Sequence, residues 1–241
     1  MIIQERRTKI LEIIKERKYC TVNYLSESLN VAPITIRRDL TVMEQAGLIT
    51  RCFGGATVPD YENREVPFAV RYQSNISVKE QLAKKAAKLV KPGDVVFLDA
   101  SSTVSHVAEH LTPEQNLIVV TNSTLVFEKL KEKHIRCYLT GGAPIQNSYA
   151  LVGSLAEQTI RCFNANICFF SSQGIAKDGM ISDQSERETA LRKLMIKNSE
   201  KQYFLFDSSK YEKHLAFRVV PVQDITGYIT DISVDFCASN K

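Results

Sequence analysis

Apolar and polar positions in the first fifty residues alternate with the period of short amphipathic helices. A charged first helix of about three turns is predicted within residues 5–18. Thr21 is placed to cap a second helix that ends at Asn30, and Pro33 suits the first position of a third helix that ends at Gly47. The positions that these helices would bury are Ile10, Leu11, Ile13, Ile14, Val22, Leu25, Leu29, Ile36, Leu40 and Met43.

A small hairpin follows the third helix. Residues 48–53 predict one strand, Gly54 and Gly55 a tight turn, and residues 56–58 the returning strand. A short third helix that crosses a second one, with basic residues near its start, is typical of proteins that read the major groove of double-stranded DNA. The alternative is that these elements only cap another domain. The residues predicted to face DNA are Ile34, Thr35, Arg37, Arg38, Arg51, Gly54 and Gly55.

The segment VAPITIRRDLTVMEQAGLITRCFGGA, residues 31–56, resembles the helix-turn-helix of the DeoR family of transcription regulators. The resemblance implies that Thr35, Arg37 and Arg38 contact an operator. Because neighbouring helical residues point about 100° apart, we expect at most one of the two arginines to read a base while the other holds phosphate. Ala32 stands where the family usually has a capping Ser, a loss of about 1 kcal/mol. Asp39 is expected to pair with Arg6 or Arg7.

Residues 59–75 show no clear period and contain two prolines, so we place the domain joint there. The predicted division is a DNA-binding domain at 1–58, a linker at 59–75, and an effector-sensing and oligomerisation domain at 76–241. The second domain would open with a helix capped by Ser77 and Glu80, which runs through Leu89 and stops before Pro92.

Short apolar runs separated by helical segments follow, and this alternation predicts an α/β domain with a mostly parallel sheet and helices on both faces. The runs are VVFLD, LIVVT, RCYLT, ICFFS and YFLFD. Ligands of such sheets bind beyond the carboxyl ends of the strands. Small polar and glycine residues stand there, namely Asp99, Ser101, Ser102, Thr103, Asn122, Ser123, Gly141 and Gly142. Hydroxyls and backbone N–H groups at helix starts favour an anion such as phosphate, although each Ser or Thr could instead be a helix cap.

Residues 77–228 resemble the DeoR-type sensor domain, related in fold to ribose-5-phosphate isomerases and CoA transferases. The motifs are the 99–103 loop, residues 121–123, Gly141 and Gly142, Gly153, a Gly174–Ile175 turn, Glu188 and residues 207–210. The resemblance implies a phosphorylated sugar or polyol as effector, with Lys210 on the phosphate and Glu188 or Asp99 on sugar hydroxyls. A surface ion pair between Glu188 and Arg192 and a solvated Lys210 are the alternatives.

Three functional classes compete for the second domain. A sugar-phosphate isomerase needs a carboxylate base, and the related isomerases have an acidic loop where this chain reads Ser171 to Ile175. Binding without turnover is therefore expected, and no catalytic residue is assigned. A domain that only oligomerises is disfavoured by the polar loops. His106 and His110 lack a third ligand in their motif, so we expect no metal, and no cofactor is implied.

Composition narrows the class further. An apolar fraction of 44% and a charged fraction of 24% indicate a globular protein, and the net charge of +4 is too mild to identify a DNA binder alone. Without a membrane span or secretory signal, the expected compartment is the cytoplasm. The six dispersed cysteines are expected to be reduced and mostly buried. The sequence thus predicts a repressor of a sugar operon, acting as a homodimer or homotetramer.

Overall fold

The computed structural model describes residues 2–17, 19–52, 55–57, 68–146 and 148–236. It divides the chain into two compact units, Met1–Arg71 and Tyr72–Lys241. The first unit contains helices α1 (Ile3–Arg17), α2 (Val22–Leu29) and α3 (Pro33–Gln45), with strands β1 (Tyr19–Thr21), β2 (Thr50–Cys52) and β3 (Gly55–Thr57). Helix α4 (Phe68–Gln73) spans the boundary between the units.

The helix boundaries of the first unit follow from local capping chemistry. The Thr21 side chain accepts a hydrogen bond from the Tyr24 amide, and Asn30 ends α2 in the left-handed conformation. Pro33 stands at the start of α3, and Ala32 makes no side-chain cap. Gly47 follows α3 at a φ of +70°, a conformation that glycine adopts without strain. The predicted helix limits at these positions are confirmed.

The hairpin is part of a three-stranded antiparallel sheet in the order β1-β3-β2. Strand β1 was not anticipated, because three residues with one buried side chain carry almost no periodic signal. The predicted strand over 48–53 is shorter at Thr50–Cys52, since the Leu48 amide is bonded to Met43 O at the end of α3. The predicted core residues Ile10, Ile14, Ile36, Leu40 and Met43 are buried together.

The second unit is an α/β domain. Its helices are α5 (Ile76–Ala87), α6 (Thr124–Glu132), α7 (Ser154–Arg161) and α8 (Glu186–Lys197). Its strands are β4 (Val95–Leu98), β5 (Ile118–Thr121), β6 (Cys137–Leu139), β7 (Ala143–Pro144), β8 (Leu151–Val152), β9 (Ala165–Phe170), β10 (Gly174–Ile175), β11 (Met180–Asp183), β12 (Ser199–Leu205), β13 (Phe217–Pro221) and β14 (Gly227–Ile229). Short 3₁₀ helices occupy Val104–His110, Pro113–Gln115, Ser208–Lys210 and Val222–Asp224.

The central sheet of the second unit has the order β14-β12-β9-β4-β5-β6 among the described residues, and every neighbouring pair is parallel. Successive side chains of a strand point to opposite faces. Phe169 accordingly packs with α5 and α6 residues, whereas Phe170 packs with α7 and α8 residues. The parallel α/β prediction is confirmed, and the strand ends that carry polar residues meet at one edge.

Three local predictions in this unit are wrong. Helix α5 begins at Ile76 after Asn75, which has a φ of +54°, so Ser77 lies inside the helix and forms no capping box with Glu80. Leu89 lies beyond the helix and is 39% exposed. Gly174 and Ile175 form strand β10, which pairs with β11, rather than a turn. The pairing of β10 with β11 depends on a partner strand that the local pattern does not show.

Two further features concern the cysteine thiols and the apolar character of the helices. Cys20 and Cys168 are buried free thiols, Cys137 is half-buried and Cys162 is exposed, while Cys237 and the side chain of Cys52 lie outside the described residues. Within the described ranges, no helix combines the length and the apolar character needed to cross a bilayer.

Candidate functional sites

The start of α3 presents an exposed polar and basic surface. Ile34 is 56% exposed, Arg37 and Arg38 are exposed, and Thr35 is half-buried. No hydrogen bond or ion pair from within the described residues engages either arginine side chain. Their guanidinium groups are therefore available to phosphate oxygens or base edges, the partners that arginine favours on DNA.

Arg51 of the hairpin is attached to the same helix. Its Nη1 donates to Thr41 Oγ1 at 3.0 Å, and the Thr41 hydroxyl donates to the Arg37 carbonyl oxygen at 2.9 Å. The Arg51 amide also donates to Glu44 Oε1 at 2.9 Å. These bonds fix the position of β2 relative to the exposed face of α3.

Asp39 is an internal anchor of α3. Its carboxylate accepts hydrogen bonds from Arg6 Nε at 2.6 Å and Arg7 Nε at 2.9 Å, and its side chain is only 3% exposed. Burial alone would raise the pKa of Asp39, but the bonds and charges of the two arginines outweigh it and lower the pKa. The expected pairing is confirmed with both arginines, and it fixes α1 against α3.

Of the two hairpin glycines, Gly55 lies within the described residues. Gly54 lies outside the described residues. Gly55 is buried, and a Cβ there would stand 2.2 Å from the Cys20 carbonyl oxygen. Gly55 therefore permits the close approach of β3 to β1, which is a packing role.

A buried charge network lies at the carboxyl edge of the central sheet. Arg192 Nε of α8 donates to Asp99 Oδ2 at 2.9 Å, and its Nη1 donates to Asp183 Oδ2 at 3.2 Å. All three side chains are at most 5% exposed. Burial opposes the arginine charge, yet the two carboxylates outweigh it and raise the pKa of Arg192. Glu188 is also buried, so the alternative of a surface ion pair with Arg192 is wrong.

The loop after β4 is ordered by this network. Asp99 Oδ1 accepts hydrogen bonds from the amide and hydroxyl of Ser101 at 3.1 and 2.5 Å. Asp99 Oδ2 accepts one from the Ser171 amide at 3.2 Å. Asp99 is thus fully occupied in orienting the loop, rather than held ready for a ligand.

Two lysines from distant elements converge on the next two hydroxyls. Lys210 Nζ donates to Thr103 Oγ1 at 3.1 Å and to Ser171 Oγ at 2.7 Å. Lys79 Nζ of α5 lies 3.5 Å from Ser102 Oγ, and Lys79 is 3% exposed. The loop 101–103 therefore lies between two ammonium groups, an arrangement that suits an anion. Sequence reasoning found Lys210 but missed Lys79, which carries no local signal.

Asp207 supports Lys210 from the start of its 3₁₀ turn. Its carboxylate accepts hydrogen bonds from Asn75 Nδ2 at 3.1 Å and from the Ser209 amide at 3.0 Å. Burial would raise the pKa of Asp207, but the charge of Lys210 and the bonds from Ser209 lower it. The Lys210 amide also donates to the Asp207 carbonyl oxygen at 3.0 Å, so Asp207 fixes the start of the turn that carries Lys210.

A narrow cleft adjoins the network, lined by Asp99, Ala100, Asn122, Glu188, Leu191, Arg192 and Met195. Asn122 Nδ2 donates to the Leu151 carbonyl oxygen at 3.1 Å. Asn122 Oδ1 is buried and accepts no hydrogen bond from the residues that the structure describes. A buried carbonyl oxygen without a donor is unfavourable, so a ligand hydroxyl would satisfy it.

The other predicted residues of this edge have structural roles. Ser123 Oγ accepts a bond from the Val126 amide and caps α6, and Ser101 Oγ accepts one from the Val104 amide. A Cβ on Gly142 would stand 2.5 Å from the Val152 carbonyl oxygen, whereas Gly141 faces open space. The helix-cap alternative therefore holds for Ser123, while Ser101 bonds within the loop that precedes the 3₁₀ helix. Ser102 and Thr103 instead face the lysines.

The arrangement does not favour proton abstraction from a sugar. Both Asp99 and Asp183 are paired with Arg192, and the residues after β9 are Ser171 and Ser172, of which Ser172 donates to Asp183 at 2.8 Å. The oxygens of both carboxylates are engaged by these bonds within the network. At this edge the Lys79 and Lys210 ammonium groups lie beside the Ser102 and Thr103 hydroxyls.

Comparison with known families now decides the class of the protein. The model described as "DeoR-like helix-turn-helix domain" matches residues 6–62, and the one described as "DeoR C terminal sensor domain" matches residues 74–232. The chain belongs to the DeoR family. It is a transcription regulator of that family, with a DNA-binding domain followed by a sensor domain.

Two relatives agree with this assignment. The HTH-type transcriptional regulator YulB of Bacillus subtilis is 35% identical over 98% of this chain and 91% of its own length. The lactose phosphotransferase system repressor of Staphylococcus epidermidis is 31% identical over 94% of this chain and 91% of its own. A ribose 5-phosphate isomerase from Methanocaldococcus jannaschii is 18% identical, with a TM-score of 0.44 over 57% of this chain and 55% of its own. The isomerase is too distant to bear on the ligand or the reaction.

Proposed function

We propose that this DeoR-family protein represses a sugar or polyol utilisation operon and leaves its operator when a phosphorylated sugar or polyol binds the sensor domain. The convergence of Lys79 and Lys210 on the Ser102 and Thr103 hydroxyls carries the proposal. Charge-assisted hydrogen bonds from two ammonium groups suit a phosphate better than a neutral hydroxyl. The name of the Staphylococcus epidermidis relative, a lactose phosphotransferase system repressor, supports a link to carbohydrate use.

The phosphate would occupy the space beside Lys210 and Thr103. The sugar would extend toward the neighbouring cleft, where Asn122 Oδ1 would accept a hydrogen bond from one hydroxyl and the Glu188 carboxylate from another. Asp99 and Arg192 would act as positioning residues. Arg192 holds Asp99 in place, and Asp99 in turn accepts the Ser101 hydrogen bond that orders the loop. This assignment differs from the expected direct contact between Asp99 and a sugar hydroxyl.

On DNA, Arg37 and Arg38 would lie in or beside the major groove, one on a base and one on phosphate. Thr35 and Ile34 would complete the contact face of α3, and Arg51 would approach the backbone from the hairpin. Helix-turn-helix regulators bind paired half-sites through symmetric oligomers, so we expect at least a dimer, formed mainly by residues 76–241. Sedimentation of the full chain with and without operator DNA tests this number.

Release follows from a population shift. The free oligomer would hold two copies of α3 at the spacing of two half-sites, about 34–36 Å, and the effector would favour an arrangement with a different spacing. Effector and operator then lower each other's affinity by the same factor. The coupling would run through the segment between the domains, residues 59–75.

Thermal unfolding of the full chain with a panel of sugars tests the ligand class. A phosphorylated sugar that binds should add about 2.7 kcal/mol of stability when its free concentration is 100 times its Kd, while its unphosphorylated form should add little. Lys210→Ala should reduce this stabilisation, and Lys193→Ala, which removes a lysine from the exposed side of α8, is the matched control. Stabilisation by none of the phosphorylated sugars, or equally by the unphosphorylated forms, contradicts the proposed ligand class.

A further inference from the structure

A second cluster of polar side chains lies apart from the proposed effector site. It consists of Glu80 on α5 with His106 and Glu109 on the 3₁₀ helix Val104–His110. One potential ligand atom from each residue lies within 4.8 Å of the other two. His110, the expected companion of His106, is not part of this cluster.

His106 is unusual for a buried histidine. It is 2% exposed, and neither ring nitrogen has a hydrogen-bond partner among the described residues. Tyr72 stacks on the ring with a centroid separation of 4.8 Å and an interplanar angle of 9°, which fixes its orientation. Burial, the strongest influence, lowers the pKa of His106.

The spacing of the ligand atoms suits a bridging ion. His106 Nδ1 and Glu109 Oε1 are 3.6 Å apart, too far for a good hydrogen bond. Two ligands at about 2.0–2.2 Å from a tetrahedral Zn²⁺ are separated by about 3.4 Å. One imidazole with two carboxylates is a donor set for a borderline divalent ion. We propose that Glu80, His106 and Glu109 bind a divalent transition-metal ion, with Zn²⁺ as the representative.

Lys129 of α6 supplies a competing cation. Its Nζ donates to Glu109 Oε1 at 2.5 Å and to the Tyr72 hydroxyl at 2.9 Å. The cluster thus already attracts positive charge, and a metal ion bound at Glu109 would meet repulsion from the ammonium group. Removing the charge of Lys129 should therefore strengthen metal binding, whereas a purely structural ion pair predicts only a loss of stability.

A bound metal would connect α5 to the 3₁₀ helix that directly follows the loop 99–103. Glu80 is the neighbour of Lys79, and His106 is three residues beyond Thr103. The ion would thereby stiffen both elements that present groups to the proposed phosphate position.

Calorimetric titration of the EDTA-treated full chain with Zn²⁺ tests the site. A Cys162→Ser background removes the exposed thiol, a competing ligand. We expect one strong site per chain, weakened at least tenfold by His106→Gln or by Glu80→Gln, and a higher unfolding temperature with Zn²⁺. The matched control is His214→Gln, which removes an exposed histidine elsewhere and should change nothing.

Lys129→Met sharpens the result, because it should bind Zn²⁺ more tightly than the parent. No strong site in the parent, or equal affinity in the parent and the folded His106→Gln and Glu80→Gln variants, would overturn the proposal. Unchanged or weaker affinity in Lys129→Met would contradict the shared carboxylate. If His106→Gln does not fold, Glu80→Gln decides alone, since its side chain is only half-buried.

Discussion

The two units present their cationic side chains in opposite ways. On α3, Arg37 and Arg38 are exposed and no described residue pairs with their side chains. At the sheet edge, Arg192 and Lys79 are buried, and Arg192 is bonded to two carboxylates. A surface that binds a large polyanion needs accessible charge, whereas a pocket for a small anion needs its charges fixed in advance. The same substitution, arginine to a neutral residue, should therefore affect stability in one unit and binding in the other.

Arg192→Met should give the largest effect. It leaves Asp99 and Asp183 buried without their counter-charge, so the free energy of unfolding should fall by about 3–5 kcal/mol. Urea denaturation of the full chain measures this change. Arg187→Met, on the exposed side of the same helix, should stay within about 0.5 kcal/mol. A loss below about 1 kcal/mol for Arg192→Met would contradict a structural role for the network.

Asp39→Asn should follow, because Asp39 is the one residue of α3 that behaves like the sensor network. Losing both arginine bonds should lower the free energy of unfolding of the first unit by about 2–3 kcal/mol at pH 7. Since the pKa of Asp39 is lowered by folding, its contribution is present above the unfolded pKa and is lost as pH falls through the folded one. Melting curves of both proteins from pH 7 to pH 3 should converge, and a constant gap would argue against an ionised Asp39.

Arg37→Ala and Arg38→Ala should each weaken operator binding by about 1–3 kcal/mol without a comparable loss of stability. The variant that loses a base contact should show a relaxed sequence preference. The variant that loses a phosphate contact should reduce by about one the slope of log affinity against log salt concentration. Fluorescence anisotropy at several salt concentrations separates the two. Arg161→Ala, an exposed arginine of the sensor domain, is the control. Unchanged DNA affinity in both variants would show that α3 is not the reading helix.

Thr41→Val should have the smallest effect, about 0.5 kcal/mol in unfolding, because its bonds to Arg51 and to the Arg37 carbonyl are exposed. Loss of the Arg51 bond should nevertheless lower DNA affinity measurably. Thr8→Val removes the same type of bond, from Thr8 to the Gln4 carbonyl on α1, but no arginine contact. Equal DNA affinity in the two variants would show that Arg51 is not part of the DNA-contacting surface.

The two units also differ in how far the sequence predicts them. The first is governed by contacts close in sequence, such as the Thr21 cap and the glycine after α3, so its helices and exposed arginines were predictable. The apolar runs predicted the parallel sheet of the second unit equally well. The partners of Arg192 lie 93 and 9 positions away, and Lys79 reaches Ser102 only through the packing of α5 on the sheet. Helical spacing instead suggested Glu188 for Arg192, because it shows only the partners one turn away on the same helix.

The most direct test of the account is whether a phosphorylated sugar lowers the affinity of this chain for its operator. Anisotropy of a labelled DNA fragment, selected by the chain itself from random sequence, would be titrated with and without each member of a sugar-phosphate panel. We predict that one member weakens binding at least tenfold, that its unphosphorylated form does not, and that Lys210→Ala stays on the DNA in its presence. Unchanged operator affinity with every sugar phosphate, or equal release of the Lys210→Ala variant, would contradict the account.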